Sequence, residues 1–170
     1  MICEVFQPTL LSLTYQMKDK IEQFYVAFNN LDAEKMVSQY HEDIIFEDPA
    51  FGILKGERAK NMWRMLCASQ IGKKFTVHTN HIKSSADVTT ATWEAYYVFS
   101  KTGRKIHNIV QAEFRFKEGK IISHKDTFDL YKWSKQAMGI KGFILGWTPF
   151  FKSKLQIQTN KLLSNFESKL

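Results

Sequence analysis

A chain of 170 residues and 19.9 kDa has the length of one domain, and 44% hydrophobic with 24% charged residues supply a sizeable core. That balance excludes wholesale disorder and argues against two full-sized domains. The formal charge of +7 is uneven: residues 131–170 carry seven lysines against one acidic residue, Glu167, while the body is almost neutral and no arginine follows Arg115, so no nucleic-acid partner is expected.

The opening segment carries Glu4 early and no basic stretch before its short apolar run, so it does not read as a signal peptide. Met17, Ile21, Phe24 and Phe28, spaced by four, three and four, predict a helix from Thr14 to Asn29 with one apolar stripe. Asp32 is placed to cap a second helix running to Tyr40, with Met36, Val37 and Tyr40 buried. Residues 44–48 are β-branched and aromatic enough for a strand that Pro49 ends, and residues 51–56 read as a turn. A third helix is predicted over 56–70, with Ala59, Met62, Trp63, Leu66 and Cys67 on its apolar side.

The period then changes. Segments 73–85, 89–100, 104–119 and 120–131 are strand candidates separated by turn-forming residues. In the third of them Ile106, Asn108, Val110, Ala112, Phe114 and Phe116 share one face, and His107, Gln111, Glu113 and Arg115 share the other. The same parity puts His124, Asp126 and Phe128 together on the next strand. Helices followed by antiparallel strands predict an α+β domain with helices against one face of a curved sheet.

The remainder reads as a short helix, a turn and a longer helix with Phe151, Leu155, Leu162 and Phe166 as its apolar stripe. The greasiest segment, 142–151, is broken by Gly146 and Pro149 and is too short to cross a bilayer. Phe143, Ile144, Leu145, Trp147, Phe150 and Phe151 are expected to cap the body or a cavity mouth. The cap is favoured over two rival readings, peripheral attachment to an anionic membrane and a dimer contact.

The motif FEDPAFG at 46–52, with FYVAFNNLD before it and NMWRML and WEAYYVFSKTGRKIHNIVQAEFRFKEGKIISHKD after it, resembles the NTF2-like superfamily in its polyketide cyclase (SnoaL-like) and ketosteroid isomerase-related branch, over about residues 14–132. The resemblance implies a cone of curved, mostly antiparallel sheet wrapped by N-terminal helices around a small-molecule cavity. It implies a cavity domain over 1–132, with residues 133–170 a helical extension packing on it. The isomerase general base falls on Asp48, but the two oxyanion donors fall on Phe24, with Tyr25 one position off that face, and on Ala112. The cyclase acid/base group falls on His124 or Asp126. The epoxide hydrolases' Asp, Arg, Asp set would need an inward arginine where Arg115 points outward, so hydrolysis ranks below proton transfer.

From the residues themselves, Asp48 is a carboxylate base if it is desolvated, or otherwise an aspartate holding its turn. His124 and Asp126, two apart on one face, are either an imidazole with its orienting carboxylate or a satisfied polar pair in a wall. Trp63, Trp93, Tyr97 and Phe128 are candidate ligand contacts, and Asn108 a candidate donor to a carbonyl. No metal-ligand spacing, phosphate loop or nucleophile turn is present, so neither metal nor cofactor is expected. Cys3 and Cys67 make no scaffold and fit a cytoplasmic protein. The favoured function is a cofactor-independent acid/base enzyme, isomerase- or cyclase-like, acting on a small hydrophobic carbonyl compound. The alternatives are a non-catalytic binding protein and a homodimeric interaction domain joined through the outer sheet face around Ile109.

Overall fold

The computed structural model describes residues 10–170. Cys3 and the reading of the opening segment therefore lie outside the described residues. The elements follow in the order α1 (Leu10–Asn29), α2 (Ala33–Val37), β1 (Tyr40–Asp48), β2 (Gly52–Lys55), α3 (Gly56–Gln70), β3 (Phe75–Ser84), β4 (Thr89–Phe99), β5 (Arg104–Lys117), β6 (Lys120–Phe128), α4 (Leu130–Met138), α5 (Ile140–Leu145) and α6 (Pro149–Glu167).

The strands form one sheet in the order β2-β1-β6-β5-β4-β3, antiparallel at every junction except the parallel pairing of β1 with β6. The sheet is open, with β2 and β3 as its two edges, and is not curled into the expected cone. Two local causes are visible. After four residues of β2 the chain turns at Gly56 into α3, and at the far edge the Val77 N–H is occupied by the Asn29 side chain at the end of α1, at 2.8 Å. What remains of the prediction is an α+β fold with a mostly antiparallel sheet.

Helices α1 and α3 cover one face of the sheet. The buried side of α1 is wider than a single stripe: Ile21, Phe24, Tyr25 and Phe28 all point inward and meet Trp63 of α3, Trp93 of β4 and Phe114 of β5. Burial of this many large rings is the main stabilising contribution, at roughly 25 cal/mol per Å² of apolar surface removed from water.

Two further expectations change. Tyr40 does not finish the second helix: α2 stops at Val37, and Tyr40 opens β1 opposite Ile121. The predicted turn over 51–56 contains a strand, because a tight reversal at 48–52 lets Gly52–Lys55 pair back on β1.

Along α6, the side facing the body runs through Phe151, Leu155, Thr159 and Leu163, a spacing of four throughout, so Leu163 rather than Leu162 is the buried residue. Gln156, Thr159 and Asn160 donate to three successive carbonyls, those of Pro49, Ala50 and Phe51, while Arg58 pairs with Glu167. The apolar cap is not formed: of the six residues expected to cover the body, only Phe151 is buried.

Candidate active site

Register places the polar groups. The parallel pairing of β1 and β6 sets Phe46 beside His124 and Glu47 beside Lys125. Asp48 and Asp126 are the next residues along the two strands, close enough for the Asp126 charge to act on the Asp48 carboxyl. On the other flank β5 sets Phe114 opposite His124 and Ala112 opposite Asp126. The small Ala112 leaves room for the carboxylate, whereas Phe114 walls the imidazole, their ring centroids being 4.2 Å apart.

His124 is fully enclosed and both its ring nitrogens are engaged. Nδ1 lies 2.6 Å from the Tyr40 hydroxyl and Nε2 lies 3.0 Å from Asp126 Oδ1. Trp63 Nε1–H donates to the Tyr40 oxygen at 2.7 Å, leaving the Tyr40 proton to be donated to Nδ1. The tautomer assigned from this network carries its proton on Nε2 and donates it to Asp126, which also accepts from Trp93 Nε1 at 3.2 Å. The chain thus runs Trp63, Tyr40, His124, Asp126, with Trp93 fixing the far end. Rings surround it: Trp63 stacks over the imidazole, and Phe24 and Phe46 meet it edge-on.

Asp48 is only half-buried by surface area, but its carboxyl faces inward at the end of β1. Burial pushes its pKa up to about 7 from 3.8. The N–H of Phe51, bonded at 2.5 Å, and those of Ala50 and Gly52 pull it down, while the neighbouring Asp126 charge raises it further. Both readings of Asp48 therefore have a physical basis, since the turn-holding bonds and the desolvated acid belong to the same carboxyl.

Tyr25, which sequence reasoning places one position off the inward face, belongs to the same buried region. It is buried, its pKa lies well above the ordinary phenol value through burial and then the Asp126 charge, and its hydroxyl has no hydrogen-bond partner among the described residues. Burying such a donor unpaired is costly, which marks it as a group available to a ligand. Its signal is legible, because positions 21, 24, 25 and 28 follow the i, i+3, i+4, i+7 rule. Tyr40 escapes for another reason: the pattern around it assigns it to a helix.

The other predicted residues divide. Trp63 and Trp93 join the His124–Asp126 network directly. Tyr97, Asn108 and Phe128 lie further along the same inner face, opposite Ile106, Ala95 and Val110. There the Tyr97 hydroxyl accepts from Trp133 of α4 at 2.8 Å, and Phe128 and Tyr97 bridge the main core to the small cluster of Ile106, Trp133, Ala137 and Phe151. Phe24 and Ala112 face inward but carry no polar hydrogen to donate.

Two surface hollows lie elsewhere. One, of about 350 Å³, is on the outer sheet face by Thr90, Gln111 and Lys125; the other, of about 620 Å³, runs between α1 and β3 and reaches Tyr25 and His78. Neither is lined by His124 or Asp126, which are both buried. Both hollows are open surface features, so the distribution of hydrogen-bonded and shifted groups is the better guide to chemistry. Among the described residues no three His, Cys, Asp or Glu side chains gather as metal donors, and no helix is long and apolar enough to cross a membrane.

The profile of the SnoaL-like domain family matches residues 21–124. No curated protein matches the chain. Among solved structures, an epoxide hydrolase of the LEH-like type from M. tuberculosis is 20% identical with a TM-score of 0.60, covering 79% of this chain and 93% of its own. Bal32a, from a soil-derived mobile gene cassette, is 22% identical with a TM-score of 0.63 over 72% of this chain and 97% of its own. TerC, crystallised with polyporic acid, is 15% identical with a TM-score of 0.61 over 72% and 98%. At these identities the likeness is one of fold.

Proposed function

This chain belongs to the SnoaL-like domain family, within the NTF2-like superfamily, and from that premise we propose that it is a cofactor-independent acid/base enzyme that removes and returns a proton beside the carbonyl of a small hydrophobic compound. The observation that carries the reading is the placement of Asp48 next to Asp126 by the parallel β1–β6 register. A carboxyl whose pKa stands at about 7 divides its time between base and acid at neutral pH, which is what proton abstraction and return require.

The geometry supports the following roles. Asp48 exchanges the proton. Asp126, tethered at Oδ1 by His124 and Trp93, adds to the rise in pKa that burial gives Asp48. His124 acts as a positioning residue, since both its nitrogens are committed. The free Tyr25 hydroxyl is the donor for a developing enolate oxygen, taking the part for which Phe24 and Ala112 have no proton. Trp93, Tyr97, Asn108 and Phe128 would then flank the body of the ligand along the inner face.

The structural relatives include an epoxide hydrolase and a protein crystallised with polyporic acid, which supports a small organic ligand without choosing a reaction. The second reading, a binding protein without turnover, is supported by the complete enclosure of His124. A homodimer is part of the proposal through the outer sheet face, where Tyr96 and Ile109 stand exposed on adjacent strands.

Solvent exchange separates enzyme from binder even before a substrate is identified. A panel of hydrophobic ketones incubated with the protein in D₂O should lose α-proton NMR intensity, with a rate that rises through about pH 7 as Asp48 ionises. Asp48→Asn should abolish that exchange. Binding by chemical-shift perturbation with no exchange in any member, or full exchange by Asp48→Asn, sinks the catalytic assignment.

A further inference from the structure

The corner between α5 and α6 carries a run of exposed large apolar residues. Ile140, Phe143, Ile144, Leu145, Trp147 and Phe150 are each between 47% and 79% exposed. Isolated exposed apolar residues are ordinary, but a contiguous set including two Phe and a Trp marks an interaction surface. The corner is rigidly built. Gly142 and Gly146 pack so closely on Ser134 of α4 that an added Cβ would come within 1.9 Å of the Ser134 carbonyl oxygen and 1.8 Å of its hydroxyl. Ser134 Oγ donates to the Gly142 carbonyl, Tyr131 to the Phe143 carbonyl and Trp147 Nε1 to the Ile144 carbonyl. The small residues face the body, so the large ones are held outward.

Charge identifies the occupant. No Asp or Glu occurs from residue 130 to 166, and Glu167 is already paired with Arg58. Lys141, Lys152 and Lys154 flank the apolar tip, and Lys154 lies over the Phe150 ring at 5.5 Å. The outward side of α6 continues the pattern through Phe150, Lys154, Ile157 and Lys161, opposite the side that docks on the body. Two copies meeting at this corner would bring lysines against lysines with no acid from the patch to neutralise them, in a chain already at +7. An anionic lipid surface satisfies both properties at once. Phe, Leu and Trp enter the boundary between headgroups and acyl chains, while lysines reach back to the headgroup charge.

We propose that the α5–α6 corner is a peripheral docking surface for anionic membranes, with Phe143, Trp147 and Phe150 as the inserting tip and the flanking lysines as the electrostatic component. It is independent of the proposed chemistry and places no segment across the bilayer.

Trp147 is its own reporter, being 69% exposed while the chain's other three tryptophans are at most 9% exposed. The full-length chain is mixed with phosphatidylcholine vesicles with and without phosphatidylserine, and flotation is read together with tryptophan emission. Anionic vesicles should capture the protein and shift Trp147 emission to the blue. Added salt should weaken capture, and Trp147→Phe should remove the shift. Lys152→Gln and Lys154→Gln should each lower affinity about fivefold, equivalent to ~1 kcal/mol per lysine. Phe143→Ser with Phe150→Ser should lower it about tenfold or more. Near-ultraviolet circular dichroism verifies that the variants keep the fold. Absence of capture by anionic vesicles at low salt overturns the proposal, as does capture that leaves Trp147 emission unchanged. Sedimentation velocity supplies the third way to fail: a dimer that the Phe143→Ser, Phe150→Ser variant dissociates would make the corner an interface between copies, and an acidic protein that binds it in place of lipid would make it a protein-docking site.

Discussion

Replacing Asp48 by Asn should make the protein more stable, and increasingly so as pH rises. Asp48 has a folded-state pKa of about 7 against 3.8 for the free side chain. Between those values the folded state keeps a proton that the unfolded state has released, so the contribution of Asp48 to stability is complete below pH 3.8 and is lost as pH climbs through about 7. Integrating the two titrations, the loss between about pH 5 and about pH 8 is at most ~2.6 kcal/mol. Partial exposure of the group lowers this to roughly 1–2.5 kcal/mol. The amide oxygen introduced by the substitution can still accept from the Phe51 N–H, and any change in that bond adds a pH-independent offset, so the slope carries the test. Urea unfolding of wild type and Asp48→Asn across this range should show the stability difference widening in favour of the variant, with the melting temperatures diverging by several degrees. Removing the Asp126 charge by Asp126→Asn should flatten the wild-type slope, because Asp126 is one of the causes of the shift. A stability difference that does not change with pH, or that narrows as pH rises, would refute the claim that the folded protein desolvates this carboxyl.

The face of α6 and the role of Tyr25 have equally direct tests. Leu163→Ala should cost about 2–4 kcal/mol and Leu162→Ala no more than about 0.5 kcal/mol, since Leu163 is fully buried and Leu162 is 50% exposed; equal costs in urea titrations would return the helix to the register expected from sequence. Tyr25→Phe removes a buried hydroxyl without a partner among the described residues, so thermal stability should hold or rise by up to ~1 kcal/mol while ketone exchange falls about 10²-fold. The opposite pattern, lower stability with unchanged exchange, would make Tyr25 a packing residue.

Alternation makes the strands legible, because a residue's parity decides whether it meets the core or water. Parity alone puts His124 and Asp126 on one face of their strand and Ala112 and Phe114 on one face of theirs, and all four are buried. The helical stripe of α3 is equally readable from Ala59, Met62, Trp63 and Cys67. Pairing partners are another matter. Nothing local to FEDPAFG specifies that Gly52–Lys55 folds back on β1, or that β1 runs parallel to β6, and that parallel register alone brings Asp48 to Asp126. The expectation of a cone fails for a related reason. A resemblance transmits the family's architecture, whereas the four-residue length of β2 and the Asn29 bond to the β3 edge are properties of this chain. Periodicity cannot separate Leu162 from Leu163, because both are leucines, and only the docking carbonyls of Pro49, Ala50 and Phe51 decide which way α6 is rolled.

Those same carbonyls tie the last helix to the turn that holds Asp48. In the reversal at 48–52, the N–H groups of Ala50, Phe51 and Gly52 point to the Asp48 carboxyl, so the turn's carbonyls must find partners elsewhere. Gln156, Thr159 and Asn160 supply them from one face of α6, and Arg58, bonded to Asn160 and Glu167, fixes that face on α3. Without those donors the turn would be free to reorient its peptides toward water, and the bonds that hold Asp48 beside Asp126 would be lost with it. The acid of β1 and the helix that follows the strands by more than twenty residues are therefore one physical unit. A raised pKa at Asp48 depends on α6 staying docked, even though no residue of α6 is placed to touch a substrate.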